Sequence, residues 1–189
     1  MIILRWKPGS LITCGVDRRS FKYANVSNED INYIDSCLAV VICFLNTFKL
    51  GISFKYVDAS NFGLESFKVT YRVRSDSYAI SFFPNCPRGE RDIELHHISL
   101  KPENRPSVIN ILSHEFGHTI GMRHYQAPEC GECPSVLLGF DDPFSVMGKP
   151  QHPPLNLRFN VEDMERLREF YRMDNGSTIQ GRKIVDYTP

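Results

Sequence analysis

No apolar run in the chain approaches the roughly 18 residues that a membrane-crossing helix needs, so no transmembrane span is expected. Net charge is also missing: 22 Lys and Arg balance 22 Asp and Glu. Without a basic or acidic excess, bulk electrostatics point to neither a nucleic-acid nor an acidic-membrane partner. The apolar stretch before Arg5 is too short for the core of a signal peptide. The expectation is therefore an intracellular chain, or a mature secreted form whose signal and pro-segment have been removed. Internal repeats and low-complexity segments are absent as well, which excludes solenoids and disordered tails as the main architecture. What remains is 189 residues, suited to one domain with a real core.

Cysteine is present six times, at Cys14, Cys37, Cys43, Cys86, Cys130 and Cys133. A domain of this size does not need disulfide staples. Cys37 and Cys43 fall in an apolar helical pattern and are expected to be small buried hydrophobes. Cys130-Gly-Glu-Cys133 could form a local disulfide, half of a zinc site, or two loop thiols. Such a zinc site would draw its other ligands from Cys86, His96, His97 and His152.

In chain order, Ile2–Leu4 and Leu11–Cys14 are β-prone runs around a Lys7-Pro8-Gly9 turn, read as one interrupted strand. Ser27-x-x-Asp30 is a capping box for a helix with Ile31, Ile34, Leu38, Val41, Ile42 and Leu45 at helical spacing. Strands are predicted over Ile52–Val57, Phe67–Arg74, Tyr78–Phe83 and Ile93–Leu100. The second alternates, with Phe67, Val69, Tyr71 and Val73 on one face. A helix begins near Pro106 with an apolar stripe of Ile109, Leu112, Phe116 and Ile120. The opposite side of that helix also carries functional residues, so it should run through the middle of the domain. Tyr125 to Leu157 is a long, Pro- and Gly-rich loop of the kind that is usually functional. Asn160-x-x-Asp163 caps a final helix with Met164, Leu167, Phe170 and Tyr171 inward, and Asp174 to Pro189 reads as a loosely held polar tail.

The densest chemical signal is Ile109 to His124, INILSHEFGHTIGMRH, in which His114, Glu115, His118, Gly121 and His124 fit H-E-x-x-H-x-x-G-x-x-H. Four residues apart on a helix, His114 and His118 lie about 40° from each other on one face. Their imidazoles can reach one ion. Glu115 lies about 100° round from His114, beside the ion, where a base belongs. A helix continued past His118 would point His124 about 240° away. The chain must turn instead, and Gly121 tolerates the positive φ that a helix end requires. Three imidazoles with an open fourth position describe a catalytic zinc site rather than a closed structural one. Chance assembly of five such positions is about one in ten thousand or less.

With Ser145-Val146-Met147-Gly148 downstream, this motif resembles the metzincin clan of zinc endopeptidases, and within it most nearly the matrixins. The resemblance covers roughly Ile2 to Met173 and leaves the family within the clan open. It implies an α+β zincin fold: a twisted five-stranded mixed sheet and two long helices above a smaller irregular C-terminal lobe closed by a final helix. One catalytic domain would span 1–189, with an upper lobe over 1–121, a lower lobe over 122–173 and a tail over 174–189. By the same resemblance His114, His118 and His124 would hold one catalytic Zn2+, Glu115 would be the general base, and Met147 would floor the site without ligating. Tyr78–Phe83 looks like the edge strand that takes an extended peptide or protein substrate, and Lys149 to Pro154 would line a side-chain pocket. A monomer is expected.

Departures from the clan's patterns are visible. Tyr125 follows the third histidine, and Lys149 stands two residues after Met147, where some families carry a tyrosine that swings onto the metal. A histidine-rich structural-zinc loop is not evident; His96 and His97 read as strand residues, one inward and one outward. Cys14-Gly15-Val16-Asp17 is similar to the thiol segment that blocks the zinc in latent matrixins but lacks its prolines and arginine, and a strand cysteine is the plainer reading. The expected activity is hydrolysis of peptide bonds by a zinc-bound water that Glu115 activates. The alternatives are a processing peptidase or effector toxin with one substrate, and an inactive zinc-bound interaction module. An intact Glu115 argues against the last.

Overall fold

A computed structural model describes residues 2–58, 65–74, 76–127, 135–136, 138, 144–148 and 158–189. Helices and a mixed sheet alternate along the chain, an α+β arrangement at the coarse level. The main sheet has the order β3 (Ser53–Tyr56), β2 (Leu11–Val16), β4 (Phe67–Arg72), β6 (Asp92–His96), β5 (Ala79–Ile80). Only β5 runs antiparallel to its neighbour. β5 lies at one edge of this sheet.

Parallel neighbours need a crossover, and the short helix α1 (Arg18–Tyr23) and the long α2 (Asn28–Asn46) supply it between β2 and β3. Ser27 caps α2 by accepting from the Asp30 amide at 3.0 Å, as its spacing predicts. Ile31, Ile34, Cys37, Leu38, Val41, Ile42 and Leu45 are buried along one side of α2. At its far end the Asn46 side chain donates to the Phe54 carbonyl and accepts from the Phe54 amide, at 2.9 and 2.8 Å. Helix and edge strand are thereby locked in register. On the inner sheet face, Ile12, Cys14, Val69, Ile93 and Leu95 are 2 % exposed or less and pack under α2 and the central helix α3 (Val108–Thr119).

Several expectations are corrected. The two N-terminal runs are not one strand. β1 (Ile2–Trp6) and β2 belong to different sheets, because the turn at Lys7-Pro8-Gly9, with Gly9 at φ 86°, sends the chain away. β1 pairs in parallel with β8 (Arg182–Tyr187), from Ile2 opposite Lys183 to Trp6 opposite Tyr187. The C-terminal stretch is therefore no loose tail. β8 and β7 (Thr178–Ile179) form a hairpin whose two turn residues, Gln180 and Gly181, both have positive φ, the geometry a tight hairpin favours. Ile184 is fully buried beneath it.

The strand expected over Tyr78–Phe83 pairs only at Ala79–Ile80, and that over Ile93–Leu100 ends at His96, where a 3-10 turn covers His97–Leu100. A 3-10 turn over Arg105–Ser107 likewise precedes α3. β4 stops at Arg72, leaving Val73 exposed rather than on its inner face. Cys43 is exposed, one position outside the buried stripe of α2.

Candidate metal centre and active site

Nine of the twelve residues of α3 are buried, so polar groups on either face lose most of their water. Toward the sheet, Phe116 packs edge-on against Phe54 and Phe67 at 5.6 and 5.4 Å between ring centroids. On the other side stand His114 and His118, one helical turn apart, with centroids 5.0 Å from each other.

Each ring is oriented through its inner nitrogen. His114 Nδ1 lies 2.6 Å from the Val146 carbonyl, and His118 Nδ1 lies 3.1 Å from the Met122 carbonyl. A carbonyl can only accept, so both Nδ1 atoms carry the proton and both Nε2 atoms keep a lone pair. The chain after α3 then turns as the glycine requires. The Gly121 amide donates to the His118 carbonyl at 3.0 Å, and the Met122 amide to the Gly117 carbonyl at 2.9 Å, with Gly121 at φ 98°. These two bonds make a Schellman end. A Cβ on Gly121 would also lie 2.3 Å from the carbonyl oxygen of Leu4 in β1. Conformation and space both demand glycine there.

The turn brings His124 back. Its ring centroid lies 5.1 Å from that of His114 and 4.8 Å from that of His118, and the Nε2 atoms of His114 and His124 are 3.2 Å apart. One nitrogen from each of the three histidines lies within 4.8 Å of the others, so the trio could hold a metal ion. Burial and the positive charge of its neighbours lower the His118 pKa to about 3, which keeps that imidazole neutral, as a ligand must be. Glu115 is 6 % exposed, and burial pushes its carboxyl up to about 8.

Met147 is 2 % exposed and packs against α3. A Cβ on Gly117 would come within 2.4 Å of its sulfur, so a glycine between the two helical histidines makes room for the methionine. The turn that carries Met147 is anchored by a residue that sequence reading assigned only to a helix cap. Asp163 sits at the start of α4 (Val161–Arg172), 7 % exposed. One of its oxygens accepts from the Ser145 hydroxyl at 2.6 Å, the other from the Val146 amide at 3.1 Å and the Asn160 amide at 3.2 Å. Because the Val146 carbonyl receives His114 Nδ1–H, the final helix positions a site histidine through the backbone of one residue, Val146. The Tyr125 amide ties the chain beyond His124 to the Met147 carbonyl at 3.2 Å.

A cavity of about 160 Å3 opens beside His124 and Met147, with Leu4, Tyr125 and Phe170 among its walls. Arg123 joins that wall, its guanidinium carbon 4.1 Å from the centroid of Phe83, whose ring packs edge-on against His118 at 5.4 Å. The motif leaves position 123 open, and no spacing rule singles out either residue.

The remaining candidates lie elsewhere. His96 is fully buried with Nδ1 against Ser77, while His97 is exposed and meets the Tyr71 hydroxyl at 3.0 Å, so one is inward and one outward as expected. Cys14 is fully buried in β2 and burial pushes its thiol up, which removes it as a ready thiolate ligand. Cys130, Cys133, His152 and the segment from Lys149 to Pro154 lie outside the described residues. Neither a protein-family model nor a curated protein sequence matches this chain.

Proposed function

We propose that the chain is a zinc-dependent endopeptidase of metzincin type. The observation that carries this reading is the meeting of the three imidazoles beside a buried carboxyl. Two nitrogens bound tetrahedrally to one zinc at about 2.05 Å sit about 3.3 Å apart. The 3.2 Å between the Nε2 atoms of His114 and His124 matches that span. Lone pairs on Nε2, fixed by carbonyls at Nδ1, suit the donor set that zinc takes.

His114, His118 and His124 would hold the ion; once seated, it would lower the pKa of a coordinated water to about 7 and polarise the scissile carbonyl. Glu115, protonated at neutral pH in the metal-free protein, ionises when cationic charge is present at the trio. It then accepts the proton of the attacking water and returns one to the leaving amine. β5, the edge strand, offers backbone groups to an extended peptide. Met147 is buried against α3 at Gly117, between the two helical histidines.

The test joins a metal assay to a digest of casein and a peptide library. The purified chain should hold one zinc per molecule and cleave, and Glu115→Ala should hold the zinc and lose the cleavage. Replacing His118 should lose the metal. Retained cleavage in Glu115→Ala, or zinc held without the histidines, removes this reading.

A further inference from the structure

We propose that the solvent-facing side of α2 pairs with the same side of a second copy of this chain, the two helices antiparallel about a two-fold axis at Val40. A helix on a protein surface ordinarily carries charge on its outer side. From Ser36 to Phe48 the chain carries none. Ser36, Ala39, Val40, Cys43, Phe44 and Thr47 are all exposed, Val40 at 53 % and Phe44 at 39 %. At about 100° per residue, Glu29, Ser36, Cys43, Phe44 and Thr47 fall within about 60° of Val40. Leu38, on the buried side, lies about 160° round. Scattered apolar residues on a surface need no account, but a continuous stripe does. The polar groups along it are already served. The Ser36 hydroxyl donates to the Asn32 carbonyl at 2.9 Å, and the Thr47 hydroxyl to the Phe44 carbonyl at 2.6 Å. Covering the stripe therefore strands no hydroxyl proton. The helical histidines stand on α3, which packs on the other side of α2, so the pairing does not rest on the hydrolytic reading.

A second copy fits because the stripe is its own complement when reversed. About the axis Val40 meets Val40, and Ser36 meets Phe44, so a small side chain lies against a large one. Glu29, its side chain 87 % exposed, heads the stripe, and the exposed Lys49 follows its far end. Glu29 and Asp30 share one arginine, Arg105, at 3.3 and 2.8 Å, so the first turn keeps a negative charge. Reversal brings Glu29 of one copy to within about 3 Å, along the axis, of the level of the other copy's Lys49. Acid then meets base at both ends, with uncharged surface between, the pattern of an interface whose core excludes charge. A parallel pair would set acid against acid. A two-fold contact makes each of these interactions twice.

Sedimentation equilibrium of the zinc-loaded chain, from about 1 µM to about 1 mM, reads the association. One helix face makes a small interface, so the expected result is a reversible dimer that fills within this range rather than the single copy expected from the sequence. Val40→Glu sets two carboxylates against each other on the axis and should weaken the dimer by about tenfold or more. Val40 is half exposed, so the variant should fold; circular dichroism, Tm and zinc content are read alongside, and Ser36→Glu takes its place if it does not. Glu29→Lys and Lys49→Glu should each weaken the dimer by about two- to fivefold. Both reversals in one chain should restore it, because each end again meets its opposite. A single copy at every concentration overturns the proposal and leaves the stripe to a different protein. A dimer that Val40→Glu leaves unchanged overturns it as well, since the copies then meet elsewhere. Failure of the combined reversal to recover overturns the antiparallel pairing. Cleavage per chain should be the same in Val40→Glu and wild type. A chain that dimerises as described but cleaves nothing removes the hydrolytic reading and leaves the pairing in place.

Discussion

At the scale of single residues, the site depends on groups that fit nowhere else. Gly121 combines φ 98° with a backbone oxygen 2.3 Å from where a Cβ would stand. Neither can relax, since Leu4 lies in a strand paired along its length with β8. Gly121→Ala should destabilise the chain by about 2–4 kcal/mol, the sum of a strained conformation and an overpacked contact. For a chain of this size that is a fall of roughly 4–16 °C in Tm, read by calorimetry. Glu115 gives a pH test. Burial raises its folded pKa to about 8, above the ordinary 4.5. Such a raised carboxyl stabilises the metal-stripped fold below pH 4.5, and that contribution is lost as pH rises through about 8. Metal-stripped Glu115→Gln has no such charge to bury, so its stability relative to the wild-type apoprotein should grow across that window. His118 runs the other way: its pKa is lowered to about 3 from 6.5, so its contribution is present above pH 6.5 and is lost as pH falls toward 3. A gap between the two apoproteins that stays flat from acid to alkaline pH would mean that Glu115 is not buried as described.

At the scale of elements, α4 does two jobs through one carboxylate. Asp163 completes the capping box with Asn160 and also holds the Ser145–Val146 turn behind His114. These jobs can be separated. Asn160→Ala should cost about 1 kcal/mol of cap energy and leave zinc affinity near wild type. Asp163→Asn should lose a comparable amount of stability and also about tenfold or more in zinc affinity, because the group that orients His114 is released. Competition with a chelator of known affinity measures both. Equal zinc affinity in the two variants would reduce Asp163 to a cap.

This doubling also shows which parts of the site can be read from the chain. The helix, its glycine stop and the three histidines are local patterns within sixteen residues, and spacing alone decodes them. The cap at Asp163 is local too. Its second role is not, because the turn it holds lies 17 and 18 residues upstream and only folding brings the two together. Gly117 and Arg123 escape for the same reason: their partners, Met147 and Phe83, approach in space from other segments. Short strands such as Ala79–Ile80 are overextended when read from β-propensity, because pairing rather than propensity ends them.

At the scale of the whole molecule, the two ends of the chain are joined behind the site, and no local signal announces it. Arg5, 1 % exposed, meets Asp186 at 2.7 Å across β1 and β8 and donates to the carbonyls of Phe170 and Met173 at the end of α4. Removing Asp186 leaves a buried guanidinium whose remaining partners are neutral. The carbonyls soften the loss, so Asp186→Ala should cost about 3 kcal/mol, the low end for breaking a buried pair. Tm should then fall by about 6–12 °C. Replacing both charges with apolar residues should recover only part of this, since the carbonyls of Phe170 and Met173 would lose a donor that no apolar side chain restores. Zinc affinity in the same variants shows what the joined ends are for. β1 places the Leu4 carbonyl against Gly121, the residue on which the return of His124 depends. Loosening β1 should therefore weaken zinc binding several-fold together with the fall in Tm. A lower Tm with zinc affinity unchanged would confine the C-terminal hairpin to stability and leave the histidine geometry to the helix end alone.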